Sequence, residues 1–304
     1  MPKKIKQILK KKKLELKKMT NELSLVKELR EKTGAGFLDC KIALKENSNN
    51  IELSIDFLRK KGLAKASKKS NREANEGAIG FYSNSIFSII LKINSETDFA
   101  AKSDTFLNFM DYLGHFAINL NNPNLTKEKF LKSNDNGKLI DDFFTEMIAK
   151  IGENIILSDL LVIEHEKSYI SHYVHNPYRK NIGKIISIIN FECNNKNDEI
   201  NILSKNICMH IAALKPEALN IEDLDKEIID KEKNIQKELI KSSGKPEKVV
   251  EKILEGKMKK YFSEITLMNQ SYVIEPEKTI QELVNEYMEK YDFNIKSFKI
   301  AILS

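Results

Sequence analysis

Hydrophobic positions in the first quarter of the chain recur with the spacing of an α-helix, about 3.6 residues. The pattern covers Ser24 to Glu31, Phe37 to Glu46 and Ile51 to Lys61, with Asn50 placed as an N-cap for the third segment. Each segment is too short to be stable alone, so we expect the three to pack together. The pattern predicts a small three-helix module.

Beyond residue 75 the hydrophobic period changes to two, which is typical of β-strands. Ile79 to Tyr82 and Phe87 to Asn94 alternate around a short polar turn and predict a hairpin. An amphipathic helix is predicted next, from apolar residues at helical spacing: Phe106, Phe109, Leu113, Phe116 and Leu120.

The same strand, strand, helix order recurs later in the chain. Residues 89–96 and 185–192 are identical at five of eight positions, and each copy is followed by a helix with a His-x-Ala step, at His115 and at His210. We expect both histidines to be packed structural residues. The repeat predicts an α+β fold with a duplicated core of two similar halves, in which sheet packs against helix.

Two helical stripes follow the second copy and predict an antiparallel, coiled-coil hairpin around Gly244 and Pro246. A helix from Thr279 to Lys290 and a strand from Lys296 to Leu303 are expected to close the fold. The predicted organisation has six segments: a basic flexible extension (1–18), the helical module (19–72), the first core half (73–158), the second core half (159–222), the inserted hairpin (223–262) and the return to the second half (263–304).

Charge is unevenly distributed along the 304 residues. The net charge is +6, but Met1 to Lys18 contains nine lysines and one acid, and the remaining residues hold 41 basic and 43 acidic side chains, a net charge of −2. The body is therefore not generally basic, although the tail leaves an RNA-associated or ribosome-associated binding module as an alternative function. Three cysteines without metal-ligand spacing, and no apolar signal segment, predict a cytoplasmic protein without membrane contact.

No catalytic motif is present in the sequence. We find no GxSxG, HExxH or phosphate-binding loop pattern, and we predict a protein that is not an enzyme and uses no cofactor or metal. The segment Glu96 to Lys102 attracts attention because it joins a buried-type strand to a helix, where a loop projects from a rigid scaffold. Two interpretations are open: Phe99 is a wedge at a partner surface, or it packs the first helical turn into the core.

Several short motifs occur together, in a fixed order from about residue 24 to the end. They are Leu25 to Gly36 with Asp39-Cys40-Lys41, Thr97-Asp98-Phe99, Lys150-Ile151-Gly152-Glu153-Asn154, Met209 to Ala213, Ser243 to Pro246, Glu255 to Lys260 and Glu275-Pro276-x-Lys278-Thr279. This combination closely resembles the elongation factor Ts family. The resemblance implies a guanine-nucleotide exchange factor for elongation factor Tu, with a UBA-like N-terminal module, a two-part core and an inserted helical hairpin.

The resemblance also implies which residues bind the partner. Asp98 and Phe99, completed by Thr97 and Ala100, would reach the magnesium region of elongation factor Tu, in its GDP-bound and nucleotide-free forms. The family usually has valine where this chain has Ala100. Further contacts implied by the family are Lys41 on the N-terminal module, Ile151, Gly152 and His175 on the core, and Val273 and Ile274 in the return segment.

Two other kinds of partner, nucleic acid and a second copy of this chain, have different support in the sequence. The net charge of −2 outside the tail argues against specific nucleic-acid binding. The apolar stripes of the helical hairpin suggest self-association as a further expectation. Beside the exchange factor and the RNA-associated module, a third possible function is a hairpin scaffold that binds the partner without changing its nucleotide.

Overall fold

The computed structural model describes residues 22–33, 35–69, 71–241 and 247–303, and they form two compact units. The first unit takes in residues up to Gly77 together with Ile93–Phe109 and Lys127–Ser158. The second takes in Ala78–Lys92, Met110–Thr126 and Asp159–Ser304. The predicted extension 1–18 lies outside the described residues, and the six predicted segment boundaries stay a prediction.

Three helices open the first unit, as the apolar spacing predicted: α1 over residues 22–33, α2 at Phe37–Glu46 and α3 at Ile51–Lys69. Asn50 caps α3, since its Oδ1 accepts a hydrogen bond from the Leu53 N–H at 3.0 Å. The three helices share a small core made of Val26, Leu29, Cys40, Ala43, Leu44 and Leu58. The three-helix prediction is therefore confirmed, although α3 continues eight residues beyond Lys61.

The rest of the first unit contains further helices and a short two-stranded ribbon. Helix α4 (Asp98–Lys102) is followed by α5 (Asp104–Asn119), which passes on into the second unit, and by α6 (Lys127–Leu131). A two-stranded ribbon, β3 (Asn134–Asp135) with β4 (Lys138–Leu139), leads into α7 (Ile140–Ile151). The ring of Phe144 on α7 contacts that of Phe109 edge-on, with 5.1 Å between centroids.

The main sheet has six strands. They are β1 (Glu76–Ser83), β2 (Phe87–Ser95), β5 (Ile155–Glu164), β6 (Tyr169–Arg179), β7 (Ile182–Glu192) and β8 (Asn294–Ile302). The order is β5-β2-β1-β7-β6, and β8 also pairs with β7. Strand β7 runs antiparallel to β6, with His175 opposite Ile185, and antiparallel to β8, with Ile189 opposite Phe298. The hairpin β1–β2, the second strand pair and the closing strand were all predicted, whereas β5 was not.

The second unit also contains the remaining helices. Helix α8 (Asp198–Leu214) follows β7 and carries His210, so the strand, strand, helix order of the predicted repeat is present in both copies. Helix α11 (Ile280–Tyr291) begins at Thr279, whose side chain and that of Glu282 form a capping box. Together with α8 it packs around Phe191 and Phe293 in a buried cluster. These elements confirm the α+β fold.

The predicted helical hairpin is present as α9 (Lys226–Lys241) and α10 (Glu247–Ile265). Its residues 242–246, at the predicted turn, lie outside the described residues. The two helices meet through Ile240, Val250, Leu254 and Met258, with Ile229, Ile253, Tyr261 and Phe262 at the margin. This packing explains the apolar spacing of α10. On α9 the residues that pack are Ile229 and Ile240, whereas three residues of the stripe that predicted the helix, Ile228, Ile235 and Leu239, are exposed.

Candidate functional site

Phe99 is the most exposed large hydrophobic residue among the described residues, with 84% of its surface accessible. It lies on α4, the short helix that begins where strand β2 ends. We call residues 96–100 the Phe99 turn. The interpretation in which Phe99 packs the first helical turn into the core is wrong, because the ring points into solvent.

A helix cap and an ion pair stabilise the Phe99 turn. Thr97 is the N-cap of α4, and its Oγ1 accepts a hydrogen bond from the Ala100 N–H at 3.3 Å. Asp98 forms an ion pair with Lys102, at 2.7 Å across one helical turn. Ala100 and Ala101 are buried, so one side of α4 packs while Phe99 projects from the other. The small Ala100 fills a buried position.

Ile151 and Gly152 lie beside this turn, within the same unit. Helix α7 ends at Ile151. Its C-cap, Gly152, has a left-handed backbone (φ +87°) and donates its N–H to the Ile148 carbonyl at 2.9 Å. The chain thereby reverses and brings Glu153 to Thr97: the carboxylate accepts from the Thr97 N–H at 2.9 Å and from its hydroxyl at 2.7 Å. The structure therefore brings together two predicted contacts that are more than fifty residues apart in sequence.

Lys41 lies on α2 of the three-helix module, exposed and 3.7 Å from Glu22 in an ion pair. Three large apolar side chains on the same helix are also exposed, Leu38 at 69%, Phe37 at 46% and Ile42 at 37%. Exposed apolar residues next to a charged one are typical of a protein-binding surface. Lys41 belongs to the first unit, as do the Phe99 turn and Gly152.

The other three predicted contacts belong to the second unit. His175 is exposed on β6, and its Nδ1 lies 3.4 Å from the hydroxyl of Tyr173. Val273 and Ile274 are 40% and 47% exposed, in the segment that precedes α11. Their hydrophobic surface is available to a partner.

His210 supports the Val273 segment, a role that the sequence did not indicate. It is fully buried, and its Nδ1 accepts a hydrogen bond from the Val273 N–H at 3.3 Å. Burial lowers the pKa of His210, and the hydrogen bond with Gln270 acts in the opposite direction. The expectation of a packed structural residue is confirmed for His210 but not for His115, which is exposed and meets Tyr82 edge-on.

Glu153 accepts two hydrogen bonds from Thr97 of the Phe99 turn, a contact that the sequence did not indicate. It stood inside the motif Lys150 to Asn154, but no local pattern shows that its carboxylate reaches Thr97. Over the described part of the chain, no group of three or more His, Cys, Asp and Glu side chains is arranged to hold a metal ion. No helix in that part is long and apolar enough to cross a membrane.

Comparison with known proteins shows the family. The sequence model described as elongation factor TS matches residues 96–302. Elongation factor Ts of Rickettsia prowazekii is 39% identical over 90% of this chain and 88% of its own length, that of Rickettsia typhi is 38% identical over 90% and 88%, and that of Rhizobium meliloti is 37% identical over 88% and 87%. The predicted resemblance is thus confirmed over nearly the whole length, and the chain belongs to the elongation factor Ts family of translation factors.

Proposed function

We propose that this chain binds elongation factor Tu carrying GDP and promotes release of the GDP by disturbing the partner's magnesium site, so that GTP can bind. The observation that carries the proposal is Phe99, a large apolar ring that is 84% exposed on a capped and hydrogen-bonded turn. An aromatic anchor of this kind loses its contact with water when it enters a partner pocket. Such burial contributes about 1.5–3 kcal/mol to binding.

The exchange mechanism is a coupling of two binding equilibria and involves no bond chemistry in this chain. If the bound factor weakens nucleotide binding by some ratio, then bound nucleotide must weaken factor binding by the same ratio. A magnesium ion neutralises the charge of nucleotide phosphates, and moving the groups that hold it lowers nucleotide affinity. We therefore propose an exchange factor, not an enzyme, acting in the cytoplasm.

The remaining contacts extend the proposed interface. Lys41 with the exposed Leu38 would bind from the three-helix module, and Ile151 and Gly152 would bind beside the Phe99 turn. From the second unit, His175, Val273 and Ile274 would contribute. Their exposed apolar surface and the flanking charges suit a transient protein interface.

Self-association through the helical hairpin is a further proposal. Three apolar residues on α9 are exposed at roughly half of their surface, Ile228 (43%), Ile235 (43%) and Leu239 (58%). They recur at intervals of seven and four residues, the spacing of a coiled-coil seam. Sedimentation velocity of the full chain, compared with a Leu239→Lys variant, tests whether two copies use this stripe.

The experiment that tests the main proposal is stopped-flow release of fluorescent GDP from elongation factor Tu. We expect the observed rate to rise with the concentration of this chain and to saturate. Adding excess magnesium should reduce the acceleration, because the ion opposes the proposed disturbance. A partner that binds the chain but releases GDP at its intrinsic rate would sink the proposal and favour the scaffold reading.

A further inference from the structure

We propose that Glu153 and Glu96 are positioning residues that fix the Phe99 turn in its binding conformation, an inference that rests on the exchange function proposed above. Each carboxylate crosses to the backbone of the other's segment. Glu153 accepts from the Thr97 N–H, and Glu96 accepts from the Asn154 N–H at 2.7 Å. Residues 96 and 97 are thus bonded reciprocally to residues 153 and 154, and we call this pair of contacts the brace.

The bond from Thr97 to Glu153 also orders the cap of α4. The Thr97 hydroxyl has one proton, which it donates to Glu153 Oε1 at 2.7 Å. Its lone pairs then face the Ala100 N–H, whose nitrogen is 3.3 Å away. Because α4 has only five residues, it depends on this cap more than a longer helix would.

The opposite half of the brace has its own support. Arg72 lies 3.3 Å from Glu96 Oε2, so one oxygen of that carboxylate faces a cation while the other accepts from the Asn154 N–H. Asn154 is buried, and its Nδ2 donates to the Arg72 carbonyl at 2.6 Å. Lys69 donates to the Gly152 carbonyl. Residues from three separate stretches of the first unit therefore converge on the turn.

The brace matters for function because Phe99 makes its contacts with solvent. Packing does little to fix a ring that is 84% exposed, so the backbone of residues 96–100 determines where the ring lies. Ordering that backbone in the free chain removes a cost that would otherwise fall at binding. The brace also gives the segment Ile151–Gly152 a second role, because the left-handed Gly152 directs Glu153 towards Thr97.

The test begins with Glu153→Gln, which keeps the size of the side chain. Thr97 donates to two different oxygens of Glu153, and glutamine replaces one of them by an NH2 donor, so the pair of bonds cannot form with its present geometry. Glu166→Gln, in the exposed turn between β5 and β6, removes the same charge elsewhere and is the matched control. We expect Glu153→Gln to lower the maximal rate of GDP release about tenfold, with a smaller change in the half-saturating concentration.

A purely structural role is separated from positioning by the Phe99→Ala background. If Glu153 acts through Phe99, then Glu153→Gln has no further effect on exchange once the ring is gone. Thr97→Ser, which keeps the hydroxyl, should retain exchange, whereas Thr97→Val should resemble Glu153→Gln. An equal loss in the presence and absence of Phe99 overturns the proposal.

Hydrogen exchange on the free chain gives a readout that needs no partner. The amide protons of Thr97 and Ala100 should exchange faster in Glu153→Gln than in the original chain and in Glu166→Gln. Unchanged protection overturns the brace itself. If the original chain fails to accelerate GDP release, the proposed function falls, and this measurement still decides whether the brace orders the turn.

Discussion

The imidazole of His210 holds the backbone of Val273 in place, 63 residues further along the chain. Nδ1 accepts from the Val273 N–H at 3.3 Å, and Nε2 lies 2.9 Å from Gln270 Oε1. Gln270 in turn donates from Nε2 to the Glu264 carbonyl at 2.8 Å, which leaves its Oε1 to accept. These partners assign the proton of the neutral ring to Nε2. A charged ring would lose the bond to Val273.

We predict that the chain loses stability as the pH falls below the ordinary histidine pKa of about 6.5. Burial lowers the pKa of His210 in the folded state, so the unfolded state takes up more protons in this range. The free energy of unfolding therefore decreases as the pH decreases. Above pH values of about 7 the contribution is fully present. The pKa values of His172 and His165 are also lowered by burial, and they act in the same direction.

Urea unfolding at pH values between about 5 and 8 measures this dependence. His210→Gln removes one titrating group, so the free energy of unfolding should decline less steeply as the pH is lowered. At neutral pH the same change should lower the free energy of unfolding by about 1–3 kcal/mol, because the buried hydrogen-bond partners of His210 are then imperfectly paired. A decline as steep as that of the original chain would show that His210 does not titrate in this range.

Phe99→Ala should reduce the catalysed release of GDP at least about tenfold, a loss of about 1.4 kcal/mol of coupling. The ring is 84% exposed, so its removal costs little packing and the thermal midpoint should hardly change. Ile202→Ala on α8 is the control, since Ile202 is 63% exposed and lies outside the proposed interface. Exchange at the original rate in a folded Phe99→Ala chain contradicts the wedge.

Local periodicity was sufficient for elements whose apolar face is regular. Helix α2 was predicted with the bounds it has, Phe37–Glu46. The helices α9 and α10 were also predicted from their apolar stripes, but only the α10 stripe lies in the hairpin core. Helix α7 has a similar stripe, Ile140, Phe144 and Ile148, which was not used. Helix α3 continues to Lys69 through a lysine-rich stretch that has no clear apolar pattern.

The supporting contacts of the site could not be found in this way, because they join distant parts of the chain. Thr97 and Glu153 are 56 residues apart, and His210 and Val273 are 63 apart. A hydrogen bond between a side chain and a remote backbone group leaves no periodic signal. Phe99 was suggested by its place between a buried-type strand and a helix as well as by the family resemblance, and Gly152 by the resemblance alone, but only geometry shows what holds them.

The lysine-rich residues 1–18 provide a test between exchange and RNA binding. Nine lysines act mainly through charge, which is screened within about 8 Å at physiological salt. A chain starting at Met19 should therefore accelerate GDP release as fast as the full chain at about 0.15 M salt, with any advantage of the longer chain confined to low salt. An advantage that persists at high salt would point to specific contacts, and RNA affinity that survives the truncation would revive the alternative function.

Two glycine-to-alanine changes should shift stability in opposite directions. Gly152 has φ +87°, a conformation that alanine adopts only with strain, so Gly152→Ala should cost about 1 kcal/mol or more. Gly256 lies exposed within α10 with open space where a Cβ would go, so Gly256→Ala should stabilise the chain by about 0.5–1 kcal/mol. Urea unfolding measures the stability of both variants.

Gly152→Ala should also slow exchange because it moves Glu153 relative to Thr97, whereas Gly256→Ala should leave exchange unchanged. A Gly152→Ala chain that is less stable yet exchanges at the original rate would show that the left-handed turn serves folding alone.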